Sequence, residues 1–151
     1  MSGKLAVRSG SQGQSMRFDW RQYADGYVIA VWGPLGQGRT LLTGNQAHMT
    51  VTRGAQVLAA GPQARVMQQQ LGWSLPVMVL GSWIRGQPHP GLAVMDLLTS
   101  DAGDVEALQQ AGWFVRFSQF VDHSTARAPG RIVATRDDRK ITVLVRSFAT
   151  R

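Results

Sequence analysis

Met16, Phe18 and Trp20 alternate with Arg17, Asp19 and Arg21. A spacing of two places the first three on the dry face of a strand and the charged residues on its wet face. Ahead of it Leu5 and Val7 alternate through residues 4–8, and Ser9-Gly10-Ser11-Gln12-Gly13 reads as a hairpin connection. Asp25-Gly26 predicts a tight turn into residues 27–32, an apolar run too short for a helix and therefore a third strand. Gly33-Pro34-Leu35-Gly36-Gln37-Gly38 then interrupts regular structure. Extended patterns return over residues 39–43, 48–52 and 56–59, the second with Met49 and Val51 on one side.

The period changes after Gly61. Pro62 suits the first turn of a helix, where its missing N–H costs nothing, and residues 63–71 are good or neutral helix formers that Gly72 would close. Pro76 opens a second helix in which Val77, Leu80, Trp83 and Ile84 recur at helical spacing until Gly86 and Pro88 end it. From Val105 the strand pattern resumes, with a turn at Ala111-Gly112 and a long strand over 113–120 whose Trp113, Val115 and Phe117 share a face. Residues 131–135 and 141–148 flank a charged hairpin loop at 136–140. Short strands and turns with both helices in one insertion predict a mainly β fold, a curved antiparallel sheet or barrel with packed helices. No repeat, linker or low-complexity segment divides the 151 residues, which predicts a single domain over 1–151.

Composition narrows the chemistry. The sequence has no cysteine, which excludes disulfides, thiolate metal sites and a thiol nucleophile. No apolar run approaches the roughly 20 residues of a membrane-spanning helix. Met1-Ser2-Gly3-Lys4 lacks the apolar stretch of a secretory signal. The net charge of +7 invites an anionic partner, but the arginines are spread almost evenly and the one basic cluster, Arg136 to Lys140, is interrupted by Asp137 and Asp138. A nucleic-acid interface needs a concentrated stripe, so this distribution argues against one.

The polar inventory offers little to an enzyme. His48, His89 and His123 lie far apart, none at metal-ligand spacing from a carboxylate, and read as surface or loop residues. The serines near the start lack the setting of a nucleophile elbow. Asp101 with Asp104, and Asp137 with Asp138, stand among turn residues, where solvation gives no reason for paired carboxylates to differ in pKa. The unusual content is apolar. Five tryptophans and six methionines fit either an ordinary core or one able to repack around variable ligands. Leu35 is a large apolar residue in a Gly-Pro-Leu-Gly turn, placed either as a plug folded back over the sheet end or as an exposed tip.

Four ordered landmarks, Arg17-Phe18-Asp19-Trp20, Trp32-Gly33-Pro34-Leu35-Gly36, Leu71-Gly72-Trp73-Ser74-Leu75-Pro76 and Trp83-Ile84-Arg85-Gly86-Gln87-Pro88, resemble those of the LolB family of outer-membrane lipoprotein receptors. The resemblance spans most of the chain. It implies an incomplete antiparallel barrel of about eleven strands, with helices lidding a hydrophobic cavity. It also implies a receptor on the periplasmic face of the outer membrane, itself a lipoprotein, that accepts acylated lipoproteins from the LolA-type periplasmic carrier and inserts them among outer-membrane phospholipids. No cofactor, no catalysis, no nucleic acid and a monomer are expected. Family members are anchored through an N-terminal lipidated cysteine; its absence here is read as removal of signal and anchor. Phe18, Trp20, Ile29 and Val31, with Leu80, Trp83 and Ile84, are the expected cavity residues, from their shared dry-face spacing. Gly33, Pro34, Leu35 and Gly36 match the family's protruding loop, whose leucine serves membrane insertion. The rival reading is a periplasmic lipid carrier or sensor that binds without inserting, which needs no apolar loop tip.

Overall fold

A computed structural model describes residues 1–33, 38–71, 77–124 and 126–148. The chain divides into two compact units, Met16–Gly81 and Met1–Ser15 with Ser82–Arg151. The strands are β1 (Ser2–Ser9), β2 (Gln12–Gln22), β3 (Tyr27–Trp32), β4 (Thr40–Gly44), β5 (His48–Arg53), β6 (Gln56–Pro62), β7 (Val94–Thr99), β8 (Val105–Gln110), β9 (Trp113–Asp122), β10 (Arg127–Arg136) and β11 (Arg139–Ser147). Two helices, α1 (Gln63–Leu71) and α2 (Val77–Ile84), follow β6. All eleven strands join one antiparallel sheet in the order β6-β5-β4-β3-β2-β1-β11-β10-β9-β8-β7, which is not closed and agrees with the expected incomplete barrel.

In the 16–81 unit the register follows the alternation in the sequence. Phe18 opposes Val31 and Trp20 opposes Ile29, so the dry positions of β2 and β3 share a face. Ile29 continues to Leu42, and Leu42 to Val51, along the same row. Phe18, Trp20, Ile29, Met49 and Val51 are buried there, with Val66 and Met67 of α1 and Val77, Val79 and Leu80 of α2. Both helices fall where the change of period predicts them.

In the other unit, Leu108, Trp113, Val115, Phe117, Ile132, Ala134, Ile141 and Val143 form the buried rows. The charged loop at 136–140 is tighter than expected. Arg136 pairs with Arg139, leaving a two-residue turn in which Asp137 has φ 53°. Asp and Asn tolerate that left-handed conformation better than other side chains. β10 starts earlier than residues 131–135 suggest, because Pro129 can sit opposite Phe120 beside Gln119, which is left-handed at φ 55°. β7 has no counterpart in the sequence pattern. It is the edge strand, and its register with β8 shifts between Met95 and Leu98, around Asp96 at φ 52°. Asp104 is the turn residue expected of it, its carbonyl accepting from the Ser100 N–H and its own N–H donating to Ser100 Oγ. Its carboxylate also meets Arg127 at 2.9 Å, and with Asp122 it holds that exposed guanidinium above its usual pKa.

The end of α2 explains why Gly86 was a stop signal. The Gly86 N–H donates to the Trp83 carbonyl (2.8 Å) and the Gln87 N–H to that of Ser82 (3.2 Å), the paired bonds that close a helix through a left-handed residue. Gly86 has φ 76°, and a Cβ there would lie 2.8 Å from the Pro129 ring. Only glycine meets both conditions.

Candidate functional site

The apolar face of the 16–81 unit is built around β2. Its alternation carries past Phe18 and Trp20 to Gln22, a polar residue on the dry side. Gln22 explains itself through its bonds. Its Oε1 accepts from the Trp20 indole N–H at 3.0 Å, while its Nε2 donates to the Gly26 carbonyl at 3.1 Å and faces the Met78 sulfur of α2 at 3.3 Å. Buried tryptophan needs such a partner, since a desolvated N–H without one costs about 1–3 kcal/mol. Gly81 of α2 lies over the same pair. A Cβ on it would stand 3.3 Å from the Trp20 ring and 3.0 Å from Gln22 Oε1, so the helix approaches because that residue lacks a side chain.

A second polar bracket closes the start of α1. Gln63 is buried, and its amide N donates to the Asn45 carbonyl (3.1 Å) while its O accepts from the Val77 N–H (2.9 Å). The Tyr27 hydroxyl lies 3.4 Å from that amide. Burial of the phenol pushes its pKa up to about 12. A buried phenolate would lose its hydration without a cation to replace it.

Five of the expected cavity residues, Phe18, Trp20, Ile29, Val31 and Leu80, thus belong to this unit, and all but the half-buried Val31 are buried. Trp83 and Ile84 are buried in the other unit. There Gln110, 2% exposed, uses every valence of its amide. Its Oε1 accepts from Trp83 Nε1 (3.0 Å) and the His89 N–H (2.8 Å), and its Nε2 donates to the carbonyls of His89 (2.8 Å) and Leu92 (3.2 Å). Gln22 and Gln110 escaped the sequence reading, although both announce themselves as polar residues at the parity of a buried row. An open groove of about 600 Å³ lies in this unit among Met95, Trp113, Phe114 and Arg136, and it contains none of the seven expected residues.

Of the expected loop, Gly33 is half-buried at the end of β3, whereas Pro34, Leu35 and Gly36 lie outside the described residues. His48 is exposed, His89 lies 3.1 Å from Ser82 Oγ, and His123 packs against Phe148 with ring centroids 5.1 Å apart. Among the described residues no group of His, Asp and Glu is arranged to hold a metal ion, and no helix is long and apolar enough to cross a membrane.

The open antiparallel sheet, its two helices and its aromatic and aliphatic interior define a β protein equipped for apolar contact. Comparison with known proteins makes the class specific. The model of the family described as outer membrane lipoprotein LolB matches residues 1–147. An outer-membrane lipoprotein LolB of Chromohalobacter salexigens is 34% identical over 148 residues, covering 98% of this chain and 69% of the relative. That of Cellvibrio japonicus is 34% identical over 153 residues, 98% of this chain and 75% of the relative, and that of Pseudomonas fluorescens is 31% identical over all of this chain and 74% of its own. The chain belongs to the LolB family, whose members are outer-membrane lipoproteins serving as receptors in lipoprotein localisation rather than enzymes.

Proposed function

We propose that the chain accepts acylated lipoproteins from a LolA-type periplasmic carrier and inserts them into the outer membrane. The observation that carries this reading, beside the family, is the continuous apolar face of β2 and β3 with an apolar helix against it. In the 16–81 unit the receiving side chains are Phe18, Trp20, Ile29, Val31 and Leu80; in the other unit they are Trp83 and Ile84. They are packed against protein atoms, so an incoming acyl chain replaces protein contacts with its own. Exposing an acyl chain of about sixteen carbons to water costs on the order of 12 kcal/mol, at roughly 0.8 kcal/mol per methylene. A route through protein is therefore required, and transfer runs toward the site that holds the chains better. Leu35, in the segment Gly33-Pro34-Leu35-Gly36, is the residue that enters the bilayer.

The test is a two-stage assay. Acylated lipoprotein bound to the carrier is mixed with this protein, and phospholipid vesicles are then added. The wild type should take up the cargo and then release it to vesicles. Leu35→Glu should still take up the cargo and fail at release, because a charge at that position opposes penetration of the membrane. If the variant releases normally, Leu35 has no insertion role. If the wild type takes up cargo but never releases it, the chain is a lipid carrier rather than an inserting receptor.

A further inference from the structure

In the unit formed by residues 1–15 and 82–151, the face opposite the buried rows carries a different chemistry. Ile132 opposes Val143 and Ala134 opposes Ile141 on the buried side, so the alternate positions of β10 and β11 point outward. There Arg8 opposes Lys140 across β1 and β11. Lys4 and Arg131 both oppose Leu144, one from each side, and Arg116 opposes Val133 in the row between. Lys4, Arg8, Arg116 and Lys140 are exposed and Arg131 is half-buried. No carboxylate stands in these three rows. Asp122, further along β9, is taken by Arg127, and among the described residues none of the five cations has an ion pair. Like charges directly opposite each other destabilise a sheet, so Arg8 beside Lys140 works against the fold that carries them.

Toward the free edge of the sheet the same face turns apolar. Gln109 opposes Phe114 and Ala107 opposes Arg116, which places both β8 residues on the outer side. Met95 opposes Gln109 and Leu98 opposes Ala107, so the shift around left-handed Asp96 brings these two exposed side chains, three residues apart, onto that side together. Cations spread over four strands and continued by exposed aliphatic side chains match a planar anionic surface with hydrocarbon beneath it. An acidic protein fits less well, because protein interfaces are depleted in lysine and rich in aromatic residues. The one aromatic in these rows, Phe114, is half-buried with the Arg116 guanidinium over its ring at 5.3 Å. Single-stranded nucleic acid needs aromatic faces free for its bases, and this one is covered. Members of the LolB family are outer-membrane lipoproteins, so a phospholipid surface is within reach.

We infer that Lys4, Arg8, Arg116, Arg131 and Lys140, with Met95 and Leu98 at the edge, form a surface by which this unit docks on the anionic phosphate headgroups of a phospholipid bilayer. Docking by this face turns the opposite side, where Gln110 holds Trp83, away from the membrane. That side is then open to cargo, the one consequence that rests on the proposed receptor role.

Vesicle co-sedimentation tests it, using vesicles of phosphatidylcholine alone and of phosphatidylcholine and phosphatidylglycerol in equal parts. The wild type should bind the second far better and lose binding as sodium chloride rises. The triple variant Lys4→Gln, Arg8→Gln, Lys140→Gln should bind the anionic vesicles roughly 100-fold more weakly, about fivefold per cation. The charge-keeping triple Lys4→Arg, Arg8→Lys, Lys140→Arg should bind like the wild type. So should a control with the same loss of charge outside these rows, Arg53→Gln, Arg65→Gln, Arg85→Gln. The sequence has no cysteine, so Leu98→Cys takes a single environment-sensitive fluorophore, whose emission should shift to the blue on the anionic vesicles. An unshifted label, undiminished binding by the first triple, loss in the charge-keeping triple, equal loss in the control, or indifference to phosphatidylglycerol would each overturn the surface. Better displacement by sodium phosphate than by sodium chloride at equal ionic strength marks a site for the free anion and also overturns it. A first triple that binds vesicles like the wild type but takes no cargo from the carrier assigns the face to an acidic protein instead. The delivery reading fails separately. A wild type that takes no cargo, yet needs these cations to bind vesicles, removes that reading and leaves the docking surface standing.

Discussion

β2 and β7 both carry several large apolar residues and meet opposite fates. β2 has neighbours on both sides in the sheet, its Phe18 and Trp20 are buried, and Trp20 lies under a helix whose Gly81 allows close approach. β7 has a neighbour on one side only, and Met95, Leu97 and Leu98 are 62%, 53% and 55% exposed. Apolar content is therefore not what makes a strand structural in this molecule. What matters is whether the side chains of one parity share a covered face. In β2 they do, and every polar atom under the cover, such as the Trp20 N–H, has its partner. In β7 the shift around Asp96 breaks the parity.

The comparison can be attacked first at its buried side. Trp20→Ala should cost about 3–5 kcal/mol in urea unfolding, as large-to-small changes in packed cores do. A loss below about 1 kcal/mol would mean that this face is not tightly packed. Gln110→Leu sharpens the point about polar partners. It keeps volume but strands the Trp83 and His89 N–H groups and two carbonyls, and should cost about 2–3 kcal/mol, whereas a neutral result would show that water replaces the amide.

Tyr27 gives a smaller, pH-dependent effect. Its pKa is raised from 10.0 to about 12, so its contribution is complete below pH 10 and is lost as pH rises toward 12, because the unfolded chain ionises first. Between those values the wild type should lose on the order of 1 kcal/mol per pH unit relative to Tyr27→Phe. Parallel stability curves for the two proteins would contradict this. The smallest effect belongs to the edge. Leu97→Ser should change stability by less than about 0.5 kcal/mol, and a larger loss would show that β7 packs against something.

The same contrast explains what the sequence made legible. Period-2 alternation located β2 because one of its faces is buried and the other wet, whereas β3 was legible as an apolar run too short for a helix after the Asp25-Gly26 turn. Pro62, Pro76, Gly86 and Pro88 bounded α1 and α2 because each acts through its own backbone. β7 was invisible because exposure of both parities leaves no alternation, and because one left-handed aspartate shifts the pairing. The seven apolar site residues were recognisable by their dry-face spacing, six of them buried, while the expectation of a cavity for them to line came from the resemblance carried by the ordered landmarks. Gln22 and Gln110 were missed because a lone glutamine in a strand looks like surface until its partners, two and twenty-seven residues away for the tryptophan bonds, are known. The stacking of Arg39 on Trp32, which Arg17 opposes, was hidden by the even spread of arginine along the chain. Strand pairing concentrates what sequence order disperses.

The break at Asp96 has a consequence for how many copies of the protein can coexist. A free strand edge with exposed leucines is a template on which another chain can add, and growth by that route needs an unbroken row of edge N–H and C=O groups. The left-handed turn of Asp96 divides the row into two pieces too short to recruit a neighbour, and sets a charge between them. β7 can therefore keep its apolar side chains in water with an edge that is a poor template for another chain.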